Sequence, residues 1–97
     1  MATFVSLISL TQRGEEDIKH TVDRANAFRE IAEAAGAAVK DVFWTLGGYD
    51  GVLIFDAPDD ETATSLALGL GSKGNVRTQT LRAFDCKQIK SIVERMT

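Results

Sequence analysis

One cysteine, one proline, one histidine, one tryptophan and one tyrosine occur in 97 residues. A lone thiol, Cys86, excludes an intrachain disulfide, argues against a thiolate metal site and suits a reducing compartment. The lone histidine, His20, belongs to no H-x-x-x-H or H-x-x-E pattern, so no metal centre and no haem ligation are expected. Positive charge is scarce: 11 basic residues against 14 acidic ones give a net charge of -3. The basic residues are scattered, which excludes the charged stripe that nucleic-acid binding requires. No apolar run approaches the roughly 18 residues of a membrane span. The stretch MATFVSLISLTQRG has no basic region ahead of its apolar segment and no small-residue cleavage pattern after it. A cytoplasmic protein is the expectation. Phosphate loops are missing too. GLGSKG, from Gly69, follows a helical pattern and LGGYDG precedes a strand, the reverse of the context a nucleotide site needs. No cofactor is expected.

What is present describes an ordinary globular chain, with 44% apolar and 26% charged residues. Residues 1–97 read as one domain, small enough that its core is thin and a partner subunit would help it. Phe4 to Leu10 is rich in β-formers and predicts a first strand. TQRGEED predicts a turn served by Thr11 and Gly14, with Glu15, Glu16 and Asp17 at the positive end of a helix. Ile18, Val22, Ala25, Phe28, Ala32 and Ala35 then fall at helical spacing, predicting one long helix that ends at Gly36. Ala37 to Leu46 predicts a second strand. Strict alternation puts Val39, Asp41, Phe43 and Thr45 on one face, and Lys40, Val42, Trp44 and Leu46 on the other. GGYDG links it as a hairpin to a third strand, Gly51 to Ala57. Pro58 ends that strand, and Asp59, Asp60 and Glu61 open a helix that Gly71 and Gly74 terminate. Asn75 to Asp85 predicts a fourth strand. A final helix carries Ile89, Ile92, Val93 and Met96. The order β-α-β-β-α-β with a terminal helix is the ferredoxin-like, α+β arrangement: a four-stranded antiparallel sheet with two long helices on one face.

The sheet's second face should be polar if it meets water. Instead Val5 and Leu7, Val52 and Ile54, and Phe43 or its strand neighbours place apolar side chains on both faces of three strands. A large exposed apolar patch usually marks a contact. The simplest cover is the same face of a second copy, in a homodimer or a higher assembly. Strand four alternates Arg77, Gln79 and Leu81 with Thr78, Thr80 and Arg82, so polar groups are expected to rim or line a space between two sheets, and a mostly apolar pocket is expected there or between sheet and helices.

GGYDG, the apolar strand after it, APDD and TLRAF, in the order VKDVFWTLGGYDGVLIFDAPDDETA…GNVRTQTLRAF, resemble the GYD domain family. That family is named for the tripeptide standing here at Gly48, Tyr49 and Asp50, and the resemblance runs from about Ala2 to Phe84. It implies the fold of the dimeric α/β barrel superfamily and a sheet-to-sheet dimer. It implies no particular reaction, because that superfamily includes oxygenases, isomerases, haem enzymes and ligand-sensing modules.

The residues that bear on function each carry two readings. Gly47, Gly48 and Gly51 shape the hairpin, Asp50 can fix it through nearby amides, and Tyr49 can pack over it. Alternatively, Tyr49 and Asp50 edge a pocket and orient a ligand or shuttle a proton. Trp44 is core, interface or ligand platform. His20 is an exposed helical residue or a general base. Arg82, with Thr78 and Thr80 on its face, either pairs with a carboxylate or binds an anion. Three functions follow: a homodimeric small-molecule-binding or sensory module, a cofactor-independent monooxygenase- or isomerase-like enzyme on a small hydrophobic metabolite, and a structural or adaptor dimer. The enzyme requires Tyr49, Asp50, His20 or Arg82 to converge on one cavity. The adaptor requires Trp44 with Phe55 or Phe43 to fill the space between sheets.

Overall fold

The computed structural model describes residues 1–96. Strand β1 (Ala2–Leu10) is followed by a short helix α1 (Gln12–Glu16), a 3-10 turn (Ile18–His20) and helix α2 (Thr21–Ala34). Strands β2 (Ala38–Trp44) and β3 (Gly51–Ala57), helix α3 (Asp60–Ser72), strand β4 (Val76–Ala83) and helix α4 (Cys86–Glu94) complete the order. The sheet runs β2-β3-β1-β4 and every neighbouring pair is antiparallel. This is the α+β, ferredoxin-like arrangement expected from the sequence.

The register sorts the side chains. Phe4, Ser6, Phe55 and Leu53 share the face under the helices and are buried. Phe55 is 1% exposed, stacks on Phe4 with ring centroids 5.5 Å apart and meets the edge of Phe28 at 6.4 Å. Ala32, Ala37, Ala57, Ala63 and Leu66 close the core around them. The small residues let the helices approach the sheet, and the aromatic rings supply most of the buried area. Ser6, the buried polar side chain of this layer, shares a 2.7 Å hydrogen bond with the Thr80 hydroxyl on β4.

Several helix ends are set by local side-chain and backbone chemistry. The Asp59 carboxylate accepts the Thr62 amide at 2.7 Å to cap α3, and Asp85 and Gln88 form a capping box at α4. Gly36, at φ +83°, ends α2. The Gly36 amide donates to Glu33 and the Ala37 amide to Ala32, and the buried Ala32 and Ala37 supply the apolar contact of that motif.

Three expectations are corrected. The first helix is not continuous from Ile18. TQRGEED is itself helical, because the Thr11 hydroxyl caps the Gly14 amide at 3.1 Å. Asp17 then interrupts the run, its carboxylate bound by both His20 and Arg24. Val22 consequently faces outward, 55% exposed. Helix α3 passes through Gly71 and stops at Ser72, with Gly74 in the left-handed region at φ +82°.

The third correction concerns β2, which ends at Trp44; Leu46 lies in the loop, fully exposed. Val39 pairs with Phe55 and Asp41 with Ile54, so Lys40 is an extra residue in a β-bulge. Strict alternation fails there, and Val39 joins Val42 and Trp44 on the helix side. Asp41 and Phe43 take the outer face.

That outer face carries Val5, Leu7, Val52, Ile54, Phe43 and Leu81 by register. Phe43 is 52% and Leu81 46% exposed, the others half-buried by their sheet neighbours. Thr3, Asp41, Asp56, Arg77 and Gln79 surround this apolar field. The aromatic on the outer face is therefore Phe43, while Phe55 and Trp44 lie on the helix side and cannot fill a space between two sheets.

Candidate functional site

The cavity lies on the helix face of the sheet, beneath α2, and has a volume of about 130 Å³. Ile8 and Leu10 of β1, Val42 and Trp44 of β2, Leu53 of β3 and Phe28 of α2 are among the apolar residues that wall it. Thr21, Arg24, Asp50, Lys73 and Asn75 bring polar groups. Where the sheet end nearest the β2–β3 hairpin faces the start of α2, a gap is left, lined by Thr21, Trp44, Asp50 and Gly51 among others. The Trp44 indole spans that gap, its Nε1 donating to the Thr21 hydroxyl at 2.9 Å.

The hairpin is built by its own polar groups. Gly47 takes φ +126°, which favours glycine. The Thr45 hydroxyl donates to the Tyr49 carbonyl at 2.6 Å, and the Thr45 amide to the Asp50 carbonyl at 3.0 Å. Asp50 joins the hairpin to β1: its amide donates to the Ile8 carbonyl at 2.8 Å, and its carboxylate accepts the Leu10 amide at 2.8 Å. Gly51 sits close to its neighbours: an added Cβ would stand 3.1 Å from the Phe43 carbonyl oxygen and 3.7 Å from the Ile8 Cβ. Gly48 has open space around it.

The structure brings Trp44 and Asp50 to the cavity and distributes the other candidates elsewhere. Tyr49 crosses toward β4, where its hydroxyl donates to the Gln79 side chain at 2.8 Å; Gln79 belongs to the outer face. His20 is exposed and hydrogen-bonds Asp17 through Nδ1 at 2.6 Å. That hydrogen bond raises the His20 pKa above its usual value and holds the Asp17 carboxyl below its own. Thr78 and Thr80 face the helices, Thr80 engaged with Ser6. Arg82 lies over the Phe4 and Phe84 rings at 5.7 and 4.4 Å and donates to the Thr3 and Ala83 carbonyls. Tyr49, His20 and Arg82 are thus each engaged with partners outside the cavity that Asp50 lines.

Arg24 is the site residue that sequence reasoning misses. Its Nη1 donates to the Asp17 carbonyl at 2.9 Å and to the Asp17 carboxylate at 2.8 Å, while Nη2 is buried with no hydrogen-bond partner among the described residues. A signal exists. Arg24, Phe28 and Ala32 are spaced four apart, so the core positions Phe28 and Ala32 put Arg24 on the inward stripe of the helix.

Comparisons with known proteins agree with this architecture. A Thermus thermophilus relative, "Glutamine synthetase and cystathionine beta-lyase binding protein", is 34% identical over 85 residues, covering 87% of this chain and 90% of the relative. The crystal structure of TTHA0845, also from Thermus thermophilus, superposes with a TM-score of 0.57 at 27% identity, over 89% of this chain and 96% of that one. MtbAldR superposes with a TM-score of 0.69 at 16% identity over 87% of this chain. The present chain spans about half of MtbAldR (52%), and that likeness is one of fold alone. The GYD domain matches residues 4–93, covering the hairpin, the cavity walls and most of α4. The chain belongs to the GYD domain family, within the dimeric α/β barrel superfamily of ferredoxin-like subunits.

Proposed function

We propose that this protein is a cytoplasmic, homodimeric binding module that holds a small molecule in the cavity between the sheet and α2, with the outer sheet face covered by a second copy. The observation that carries the reading is the cavity: its walls are mostly apolar and its polar groups are few, the composition of small-molecule sites. The scatter of Tyr49, His20 and Arg82 away from it favours binding over acid–base catalysis. The outer face supports the dimer. Its six apolar side chains form one contiguous field ringed by polar groups, as subunit interfaces do.

The name of the Thermus relative favours a second reading, in which the dimer is an adaptor that docks on enzymes. The two readings separate experimentally. Trp44 is the sole tryptophan and lines the cavity, so its emission reports occupancy directly. Sedimentation at micromolar concentration is expected to give a dimer, and small aromatic probes are expected to shift Trp44 emission saturably. A dimer whose Trp44 responds to no small molecule would leave only the adaptor. A monomer would remove the assembly from both readings.

A further inference from the structure

Helix α4 is the element that the domain leaves unpacked. None of its nine residues is buried, and the bonds at its ends are its own: the capping box of Asp85 and Gln88, and the Arg95 amide to the Ile92 carbonyl. It nevertheless has a clear apolar side. Ile89, Ile92, Val93 and Met96 recur at helical spacing on one stripe, with Val93 53% and Met96 75% exposed. The molecule is drawn out accordingly. Its radius of gyration is 14.6 Å, against about 12.5 Å for a compact domain of this length, and its longest dimension is 51 Å. A helix this short is marginal in water by itself, because most helical stability comes from packing an apolar face. The capping box supplies part of what α4 needs. A surface for the stripe must supply the rest.

Resting on the dimer reading above, we infer that the α4 stripe packs against the second copy of this chain, extending the interface that the outer sheet face begins. Continuity favours that occupant. Leu81 and Ala83 of β4 stand on the outer face beside Val5 and Thr3, and only Phe84 and Asp85 separate Ala83 from α4. Area favours it too. Four strands of seven to nine residues present a flat area of about 500 Å². A standard stable interface takes about 800 Å² from each partner, so the sheet face leaves room for a second contributor. Charge disfavours a lipid surface. Lys87 and Lys90 share the other side of the helix with Glu94, which breaks the basic stripe such a surface attracts. The GYD match also runs to residue 93, so most of α4 is part of the domain itself.

The test is sedimentation equilibrium on the full chain, comparing wild type, the paired substitution Ile89→Glu with Val93→Glu, and Ser91→Glu, which puts the same charge on the opposite side of α4. The paired variant is expected to weaken the dimer at least about 100-fold, because unpaired carboxylates are expensive to bury. Its unfolding midpoint, measured where all variants are monomeric, is expected to match wild type, since the stripe covers nothing in its own chain. Ser91→Glu is expected to hold wild-type affinity within about twofold, its site lying away from the apolar stripe. A wild-type dimer that the paired variant leaves intact, or that Ser91→Glu weakens equally, would overturn the role of the stripe and leave the sheet-to-sheet dimer standing. A wild-type monomer would overturn both. A lowered monomer midpoint with unchanged association would place the stripe on its own domain and overturn the inference. So would binding of the wild type to phosphatidylglycerol–phosphatidylcholine vesicles that the paired variant loses while its dimer persists. If the paired variant fails to fold by circular dichroism, Val93→Ser decides: it is expected to weaken the dimer at least about fivefold, and a smaller effect overturns the role of α4.

Discussion

Replacing Gly14 with alanine tests whether close backbone approach or helix propensity controls the β1–α2 connection. Gly14 lies in α1, and an added Cβ would stand 2.0 Å from the Asn75 carbonyl oxygen. Ordinary contact begins at 3.4 Å, so the two segments must part by more than an ångström. Two bonds clasp them, the Thr11 amide to the Asn75 carbonyl at 3.1 Å and the Thr11 hydroxyl to the Gly74 carbonyl at 2.6 Å, and that hydroxyl also accepts the Gly14 amide at 3.1 Å within α1. Overpacking of this kind costs about 1–3 kcal/mol. Loosening one or two of the bonds adds about 1–2 kcal/mol. Against this, alanine gains at most about 1 kcal/mol in helix propensity. The net expectation is a loss of about 1–4 kcal/mol, combining these figures. For a domain of this size each kcal/mol lowers the melting temperature by about 4–8 °C. Denaturant unfolding at fixed protein concentration measures it. Gly69 in α3 is the internal control. A Cβ added there would meet no heavy atom within 4 Å, so Gly69→Ala should stabilise by about 0.5–1 kcal/mol. If Gly14→Ala also stabilises, the close approach to Asn75 is wrong.

Phe55→Ala should cost about 3–5 kcal/mol, because it removes the 1%-exposed ring against which Phe4 and Phe28 pack; equilibrium denaturation showing a loss under about 1 kcal/mol would refute that core. Val5→Glu places a carboxylate among Ile54 and Leu81 on the outer face. It should weaken the proposed dimer at least about 100-fold, since an unpaired charge is expensive to bury, and sedimentation equilibrium reads the shift to monomer. The Asp17–His20 contact sets a pH dependence. The His20 pKa is raised, so its stabilisation is full below 6.5 and is lost as pH rises through the higher folded value. The Asp17 pKa is lowered, so its share holds above 3.8 and disappears as pH falls through the lower folded value. His20→Gln should therefore match wild-type stability at alkaline pH and fall below it in mildly acidic buffer; denaturation midpoints across that range provide the check.

Much of the fold is legible because its signals are local. Gly36, Pro58, Asp59 and Asp85 mark element ends through backbone chemistry that needs no distant partner. Alternation in β1 and β3 sorts Phe4 from Val5 and Phe55 from Ile54 correctly, since those strands pair without interruption. Alternation in β2 does not, because the bulge at Lys40 depends on the partner strand and leaves no mark in its own sequence. Gly14 looks like a turn glycine until Asn75, roughly sixty residues on, is brought against it. The site is harder still. Asp50 is legible as a hairpin group, but its acceptor role toward the Leu10 amide is a tertiary fact. Tyr49 reaches Gln79 across the sheet, which no local pattern specifies. Arg24 looks like surface because charged residues are usually solvated; only the fold shows that Asp17 holds its guanidinium and that Nη2 is buried.

The extra residue at Lys40 acts as a parity device. Across it the inside–outside count of β2 slips by one, which is how Val42 and Trp44 come to the helix side together with Val39, and Phe43 to the opposite surface. Deleting that one residue would exchange destinations along the strand without altering any side chain's identity. Two faces of one strand are thus kept in phase by a single inserted amino acid.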